Sequence, residues 1–300
     1  MIFTTRFAPS PTGPLHLGHA YSAMIAHDMA MARGGEFLLR IEDIDQSRAR
    51  PAWEAQIYDD LAWLGLTWPT PVMRQSDRLP EYAAALDVLW LKGYLYPCDC
   101  SRRDITEALS APQEGAPLSG PDGLVYPGTC REKDRFRYSA DRERPVGRTL
   151  RLASRDAFTA CHALSAPKTL QFDETGRGPD GQTGQIPVVQ DEFVECVGDF
   201  VVSRRDMGTS YHLSVVLDDA AQGITDVVRG EDLFEATEIH VVLQDLLGLP
   251  TPRYHHHRLI RNERGKRLAK RDDARALTTF RNEGATPDDI RRLVGLSVPA

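Results

Sequence analysis

A chain of 300 residues can bury a sizeable core in one large domain or two modest ones. Composition is that of an ordinary globular enzyme, 41% apolar and 26% charged, and no apolar run approaches the ~18 residues of a membrane span. A net charge of −7 argues against a general nucleic-acid binder, and Met1–Phe7 lacks the basic-then-apolar pattern of a signal peptide, so a cytoplasmic location is expected.

Residues 2–8 read as a buried strand. Pro9 to Pro14 holds three prolines and must be a loop. Gly18 to Arg33 reads as a helix that is apolar round most of its circumference, hence buried, and Gly34-Gly35 stops it. Glu36 to Ile41 reads as the next strand. This strand–loop–helix–strand unit is the opening of a Rossmann-like α/β domain. Helices are expected near 51–65 and 80–93. From Cys98 to about Gln190 the chain turns rich in Pro, Gly, Asp and Arg, which reads as an insertion. Strand-like runs return at Phe200–Val202, Tyr211–Leu217 and Ile224–Val228. A helix from Ala236 to Leu247 ends at Gly248, with Pro250 beyond. The tail from about 273 is polar and helical, with Pro287 in a first turn.

The expected division is therefore 1–97 for the first half of the catalytic domain and 98–190 for the inserted subdomain. The second half follows at 191–248, and 249–300 holds a basic loop and a helical segment.

Three features carry chemistry. Pro11-Thr12-Gly13-Pro14-Leu15-His16-Leu17-Gly18-His19 sits where the first strand turns into the first helix, a place that favours phosphates. His16 and His19 are three apart on one helical face, and Gly18 lets a flat base approach the backbone. Together they can hold ATP and donate to its α-phosphate as charge builds.

Charge is also uneven. Residues 131–155 carry nine Lys/Arg against four Asp/Glu, and 261–271 carry six basic residues against Glu263 alone, which suits local polyanion contacts.

Five cysteines at irregular spacing do not read as a disulfide framework. Cys98, Cys100 and Cys130 suit a structural zinc site. From the residues alone, the fourth ligand stays open between Asp99, His162 and Cys161. Cys161 and Cys196 read as core, and His255-His256-His257 as surface.

The proline–histidine string resembles the HIGH signature of class I aminoacyl-tRNA synthetases. Arg6-Phe7-Ala8-Pro9-Ser10-Pro11-Thr12-Gly13 before it looks like the glutamyl and glutaminyl branch. So do Arg40-Ile41-Glu42-Asp43-Ile44-Asp45-Gln46-Ser47-Arg48 and the block from Tyr211 to Asp219 with Gln222 to Asp232. Gly265-Lys266-Arg267-Leu268-Ala269-Lys270-Arg271 resembles a divergent KMSKS loop that keeps the second lysine of the motif as Lys270, with Arg267 in place of the first lysine and Ala269 and Arg271 in place of the serines.

The resemblance implies a glutamate pocket lined by Arg6, Ala8, Ser10, Glu42, Tyr211 and Arg229. It implies an ATP site at His16, Gly18, His19 and Lys270 with Mg²⁺, and Tyr126 as the fourth zinc ligand. Charge logic agrees: two carboxylates and one ammonium call for guanidinium forks and one carboxylate. His212 stands where the branch usually has an amide, and it is assigned no role.

The chain ends about thirty residues after the basic loop, so no anticodon-reading domain is expected. With the cysteine cluster, this resembles the glutamyl-queuosine tRNA(Asp) synthetase family. The resemblance implies activation of L-glutamate by ATP without tRNA. Glutamate is then transferred to queuosine in the anticodon stem-loop of tRNA(Asp), by a protein expected to act as a monomer. The competing readings are a truncated glutamyl-tRNA synthetase charging the 3′ end of tRNA(Glu) and a non-enzymatic tRNA-binding paralogue.

Overall fold

The structure is a computed structural model describing residues 2–109, 119–121, 123–134, 143–163, 169–261 and 275–298, without the side chains of 132–134 and 160–163. Strand β1 (Thr4–Phe7) is buried at every position. Helix α1 (Leu17–Met31) returns the chain to β2 (Glu36–Ile41), which pairs parallel with β1 so that Arg6 faces Leu38. Alanines at 20, 23, 26 and 30 are fully buried and let α1 lie close on the sheet. The return demands Gly35, where a Cβ would stand 2.0 Å from the Phe3 carbonyl oxygen. Helix α2 (Pro51–Trp63), short β3 (Met73–Arg74) parallel to β2, and α3 (Leu79–Leu91) complete this half.

The middle of the chain forms β4 (Leu95–Pro97), α4 (Arg102–Leu109), a hairpin of β5 (Ser119–Gly120) and β6 (Gly123–Leu124), α5 (Thr129–Asp134), β7 (Leu150–Leu152) and α6 (Ser154–Ala163). Then come β8 (Gln171–Glu174), β9 (Gly184–Pro187), α7 (Gln190–Cys196) and β10 (Val201–Ser203). Strands β10, β7 and β4 make an antiparallel sheet. Strand β8, inside the stretch read as an insertion, instead joins the parallel sheet of the second half, with Glu174 opposite Tyr254. One buried apolar cluster runs from Leu86 and Leu89 through Leu150, Phe158 and Phe172 to Leu243 and Tyr254. The middle segment and the second half therefore share a core.

The second half holds α8 (Tyr211–Ala221), β11 (Asp226–Gly230), α9 (Ala236–Leu247) and β12 (Arg253–His257), followed by α10 (Leu277–Asn282) and α11 (Pro287–Leu293). Strands β11 and β12 are parallel, and β11 abuts β1 where the Thr225 N–H donates to the Thr4 carbonyl at 3.0 Å. Helix α9 ends as read, on Gly248 at φ 67°. Helix α11 starts on a Thr286–Asp289 capping box ahead of Pro287.

Three readings are corrected. Tyr211–Leu217, read as a strand, is the first part of α8. Tyr211, Leu213, Val215 and Leu217 alternate with His212 and Ser214 as a strand would, but Ser210 starts a helix by accepting from the Leu213 N–H. His256 and His257, read as surface, are buried on β12, with 1% and 8% exposure. Cys196, read as core, is exposed at the end of α7. The side chains of Cys161 and His162 lie outside the described residues. Among the described residues no helix is long and apolar enough to cross a membrane.

Candidate active site and thiol cluster

A cavity of about 350 Å³ opens where the C-terminal ends of β1 and β11 meet the start of α1. Ligands favour such a place in open α/β sheets. The structure brings Arg6, Ala8, His16, Gly18, His19, Glu42, Tyr211 and Arg229 to its wall. Ser10 is exposed beside it but does not line it. Lys270, and the KMSKS-like loop with it, lies outside the described residues.

The histidine pair is a helix cap made of imidazoles. His16 is the N-cap of α1, and its Nδ1 accepts from the Gly18 N–H at 3.1 Å. His19 reaches back, and its Nδ1 accepts from the His16 N–H at 3.2 Å. A neutral imidazole that accepts at Nδ1 carries its proton on Nε2. The cap therefore sets both rings in the tautomer whose Nε2–H is the donor, with ring centroids 3.8 Å apart. Two such donors beside the positive end of a helix suit an anionic phosphate. Gly18 serves this cap too, because a Cβ there would press on the His16 ring at 3.0 Å.

Beneath the cavity lies a buried charge cluster whose hub is Asp219. It accepts from Arg6 Nε at 2.9 Å and from Arg40 Nη1 at 2.7 Å. Arg40 is fully buried and also bonds Glu42 at 3.2 Å. Burial works against ionisation of Asp219, but Arg6 and Arg40 hold its carboxyl below the usual range. Glu42 differs. Burial pushes its carboxyl up, with Arg40 and Arg6 opposing, so an incoming ammonium would favour its charged form. Next to Asp219, Asp218 accepts from Gln75, Arg78 and Tyr82 at 2.8–2.9 Å, tying α3 to α8.

Arg229 is held in another way. Its Nε donates to His256 Nε2 and its Nη1 meets His240 Nδ1, both at 3.1 Å; its Nη2 donates to Thr237 Oγ1 at 2.7 Å. Among the described residues no carboxylate pairs with this guanidinium, although it is only 5% exposed. The carboxylate in the network, Glu174, reaches it through His256 Nδ1. Burial takes His256 down to about 4 and His240 well below the ordinary histidine value, so both rings are neutral acceptors for Arg229. The result is a buried cation in the cavity wall that, among the described residues, meets a carboxylate only through the His256 ring. Tyr211 lines the cavity beside it, with its ring 5.8 Å from that of His240.

Sequence reading missed Asp219, Arg40, Glu174, His240 and His256. The one available signal was Asp218-Asp219 inside an apolar helix, since paired acids are rarely buried without a task.

Away from the cavity, Cys98, Cys100 and Cys130 place their sulfurs within 4.8 Å of one another. The Tyr126 hydroxyl stands 3.5 Å from Cys98 Sγ and 3.4 Å from Cys100 Sγ, and Cys100 lies 3.4 Å from Cys130. A tetrahedron with Zn–S bonds of ~2.3 Å has sulfur–sulfur edges of roughly 3.8 Å, so four donors at these spacings fit one zinc ion. Burial pushes the Cys100 thiol up to about 11, a value that a dication among the sulfurs would reverse. Metal analysis of protein purified without a polyhistidine tag is expected to find ~1 zinc per chain. Chelation should lower the melting temperature and make three thiols reactive. Less than roughly 0.3 equivalent would remove the assignment.

Residues 3–297 match the family described as tRNA synthetases class I (E and Q), catalytic domain. A Glutamyl-Q tRNA(Asp) synthetase from Rhodobacter capsulatus is 63% identical over 97% of this chain and 99% of its own length. Proteins of the same name from Albidiferax ferrireducens and Ralstonia nicotianae are 42% and 39% identical, over 91% and 98% of this chain and 86% and 85% of theirs. Among solved structures, a glutamate tRNA ligase from Elizabethkingia meningosepticum superposes with a TM-score of 0.70 at 23% identity. The match covers 98% of this chain and 60% of the ligase, so it speaks to fold alone.

Proposed function

From the premise that this chain belongs to the catalytic-domain family of class I glutamate and glutamine tRNA synthetases, we propose that it is an ATP-dependent ligase that activates L-glutamate and transfers it to queuosine in tRNA(Asp). The observation that carries the glutamate reading is Arg229. It is a buried guanidinium held by neutral imidazoles and left without a carboxylate, in the wall shared with the His16–His19 pair.

In the first step an oxygen of the glutamate α-carboxylate attacks the α-phosphorus of ATP. The bond from that phosphorus to the bridging oxygen breaks, pyrophosphate leaves, and glutamyl-adenylate forms. Arg229 and Arg6 take the carboxylates, Glu42 faces the ammonium, and Tyr211 adds a phenol donor. Ala8, just past the end of β1, leaves room in the wall, and Ser10 is assigned to the glutamate by the resemblance alone. His16 and His19 donate Nε2–H to the α-phosphate as negative charge builds there, in a cap that needs no rearrangement. Lys270 is assigned to the triphosphate, and Mg²⁺ would neutralise its remaining charge. In the second step a hydroxyl of the modified nucleoside attacks the activated carbonyl and AMP leaves. Cys98, Cys100, Tyr126 and Cys130 would hold a zinc ion whose role is structural.

The test is transfer of labelled glutamate to queuosine-containing tRNA(Asp) and to tRNA(Glu), beside glutamate-dependent ATP–pyrophosphate exchange without tRNA. Exchange, with labelling of tRNA(Asp) only, is the expected result. Labelling of tRNA(Glu) alone would select a 3′-charging enzyme, and absence of exchange a binding paralogue.

A further inference from the structure

The largest cavity described, about 720 Å³, is not the glutamate site. It lies between α4, the β5–β6 hairpin and β10, against the thiol cluster, and nothing above gives it a role. Its composition is unusual on a chain of net charge −7. Arg102, Arg204 and Arg205 line it, all exposed. Among the described residues none of the three guanidinium groups makes an ion pair or hydrogen bond. Of the two acids in the lining, Asp199 is buried and already occupied by the Tyr96 hydroxyl and the Ser154 N–H, which leaves Asp206.

Deeper in, the wall turns apolar and π-rich. Phe200 is 2% exposed, and the face of Tyr126 carries the Arg151 guanidinium 3.8 Å from its centroid. Arg151 is 8% exposed, and its Nη1 donates to the Asp199 carbonyl at 2.7 Å. A cavity with free guanidinium groups at its mouth and flat groups in its wall has the parts of a single-strand nucleotide site. Phosphates take the rim, and an unstacked base takes the interior. Its place in the chain matters too. Arg204 and Arg205 stand on the loop that leads from β10 to Tyr211, the first residue of α8 and part of the glutamate cavity. Six residues of chain keep Arg205 within roughly 20 Å of Tyr211.

We propose that this cavity holds a nucleotide of the RNA substrate flanking the one that receives glutamate, with Arg102, Arg204 and Arg205 on its phosphates. The proposal rests on the reading that the acceptor is a tRNA. The test uses the full chain, an Arg204→Ala/Arg205→Ala double variant, and an unmodified tRNA(Asp) transcript, which lacks queuosine and so reports binding alone. Affinity for the transcript should fall about ten-fold at fixed salt, and the slope of log affinity against log salt should shrink by about 2, one per guanidinium.

Glutamate-dependent ATP–pyrophosphate exchange without tRNA should stay unchanged. Oligouridylate should compete for the transcript better than inorganic polyphosphate of equal charge. Unchanged affinity and slope would overturn the site, and equal competition would reduce it to a polyanion patch. A parallel loss of exchange would show that the loop acts on Tyr211 instead. If exchange with glutamate is already absent in the unsubstituted protein, it is the activity reading that fails, because the RNA-binding readout stands without it.

Discussion

Arg229→Leu should lower kcat/KM for glutamate in ATP–pyrophosphate exchange by about 10³-fold, close to 4 kcal/mol of transition-state stabilisation. The reason is the asymmetry between Arg229 and two other buried arginines, Arg6 and Arg40. Arg6 and Arg40 are neutralised by Asp219 and Glu42, whereas Arg229 donates to His256, His240 and Thr237 and has no carboxylate of its own. Removing it takes away the positive charge in the cavity wall and also leaves the buried His256 and His240 acceptors without their donor, so a lower melting temperature should accompany the loss of rate. Arg229→Lys keeps the charge but loses the fork, and should recover only part of the rate. A variant with an unaltered kcat/KM for glutamate would show that Arg229 faces some other group.

The same network imposes a pH dependence. His256 is held neutral, at about 4 against an ordinary 6.5, and His240 is depressed as well, in both cases by burial first. Because the folded value lies below the unfolded one, the unfolded chain binds the proton first. Stability therefore falls as pH drops from about 6.5 towards 4. Protonation would also turn an acceptor of Arg229 into a second cation beside it. In the folded protein that happens only as pH approaches 4.

Elements bounded by punctuation were legible in the sequence. Strand β2 has Gly34-Gly35 before it, and α9 runs into Gly248 and Pro250, so local chemistry marks their ends. The His16–His19 string could be read as a phosphate site because its meaning is local to one strand–helix turn. Helix α8 could not be read, because its first half alternates apolar and polar residues like a strand and its buried face includes His212, Ser214, Asp218 and Asp219. The support of the site is harder still. Arg6 finds Asp219 across 213 positions of sequence, and His256 finds Glu174 across 82. No spacing rule reaches that far. The triplet His255–His257 looked like surface because the alternation of a strand buries its central ring, and nothing local announces β12 in a run of histidines.

Asp219→Ala should be the most damaging single change for the fold. The carboxylate is a shared counter-ion, and its loss strands Arg6 and Arg40, which are 5% and 0% exposed. Breaking a buried pair from one side costs about 3–5 kcal/mol, because the remaining charges keep their desolvation penalty. For a chain of this size that is a drop of roughly 10 °C in melting temperature. Glu42 still contacts Arg40, but Arg6 loses its anchor and with it the orientation it presents to the cavity. Asp219→Asn would keep an acceptor without the charge and should fall between the two. Replacing both ends with apolar groups, Arg40→Met with Asp219→Leu, should destabilise less than Asp219→Ala alone, since fewer uncompensated charges stay buried. A melting temperature for Asp219→Ala within about 2 °C of the parent would mean that Asp218 and Glu42 suffice to balance the arginines, and that the hub assigned to Asp219 is redundant.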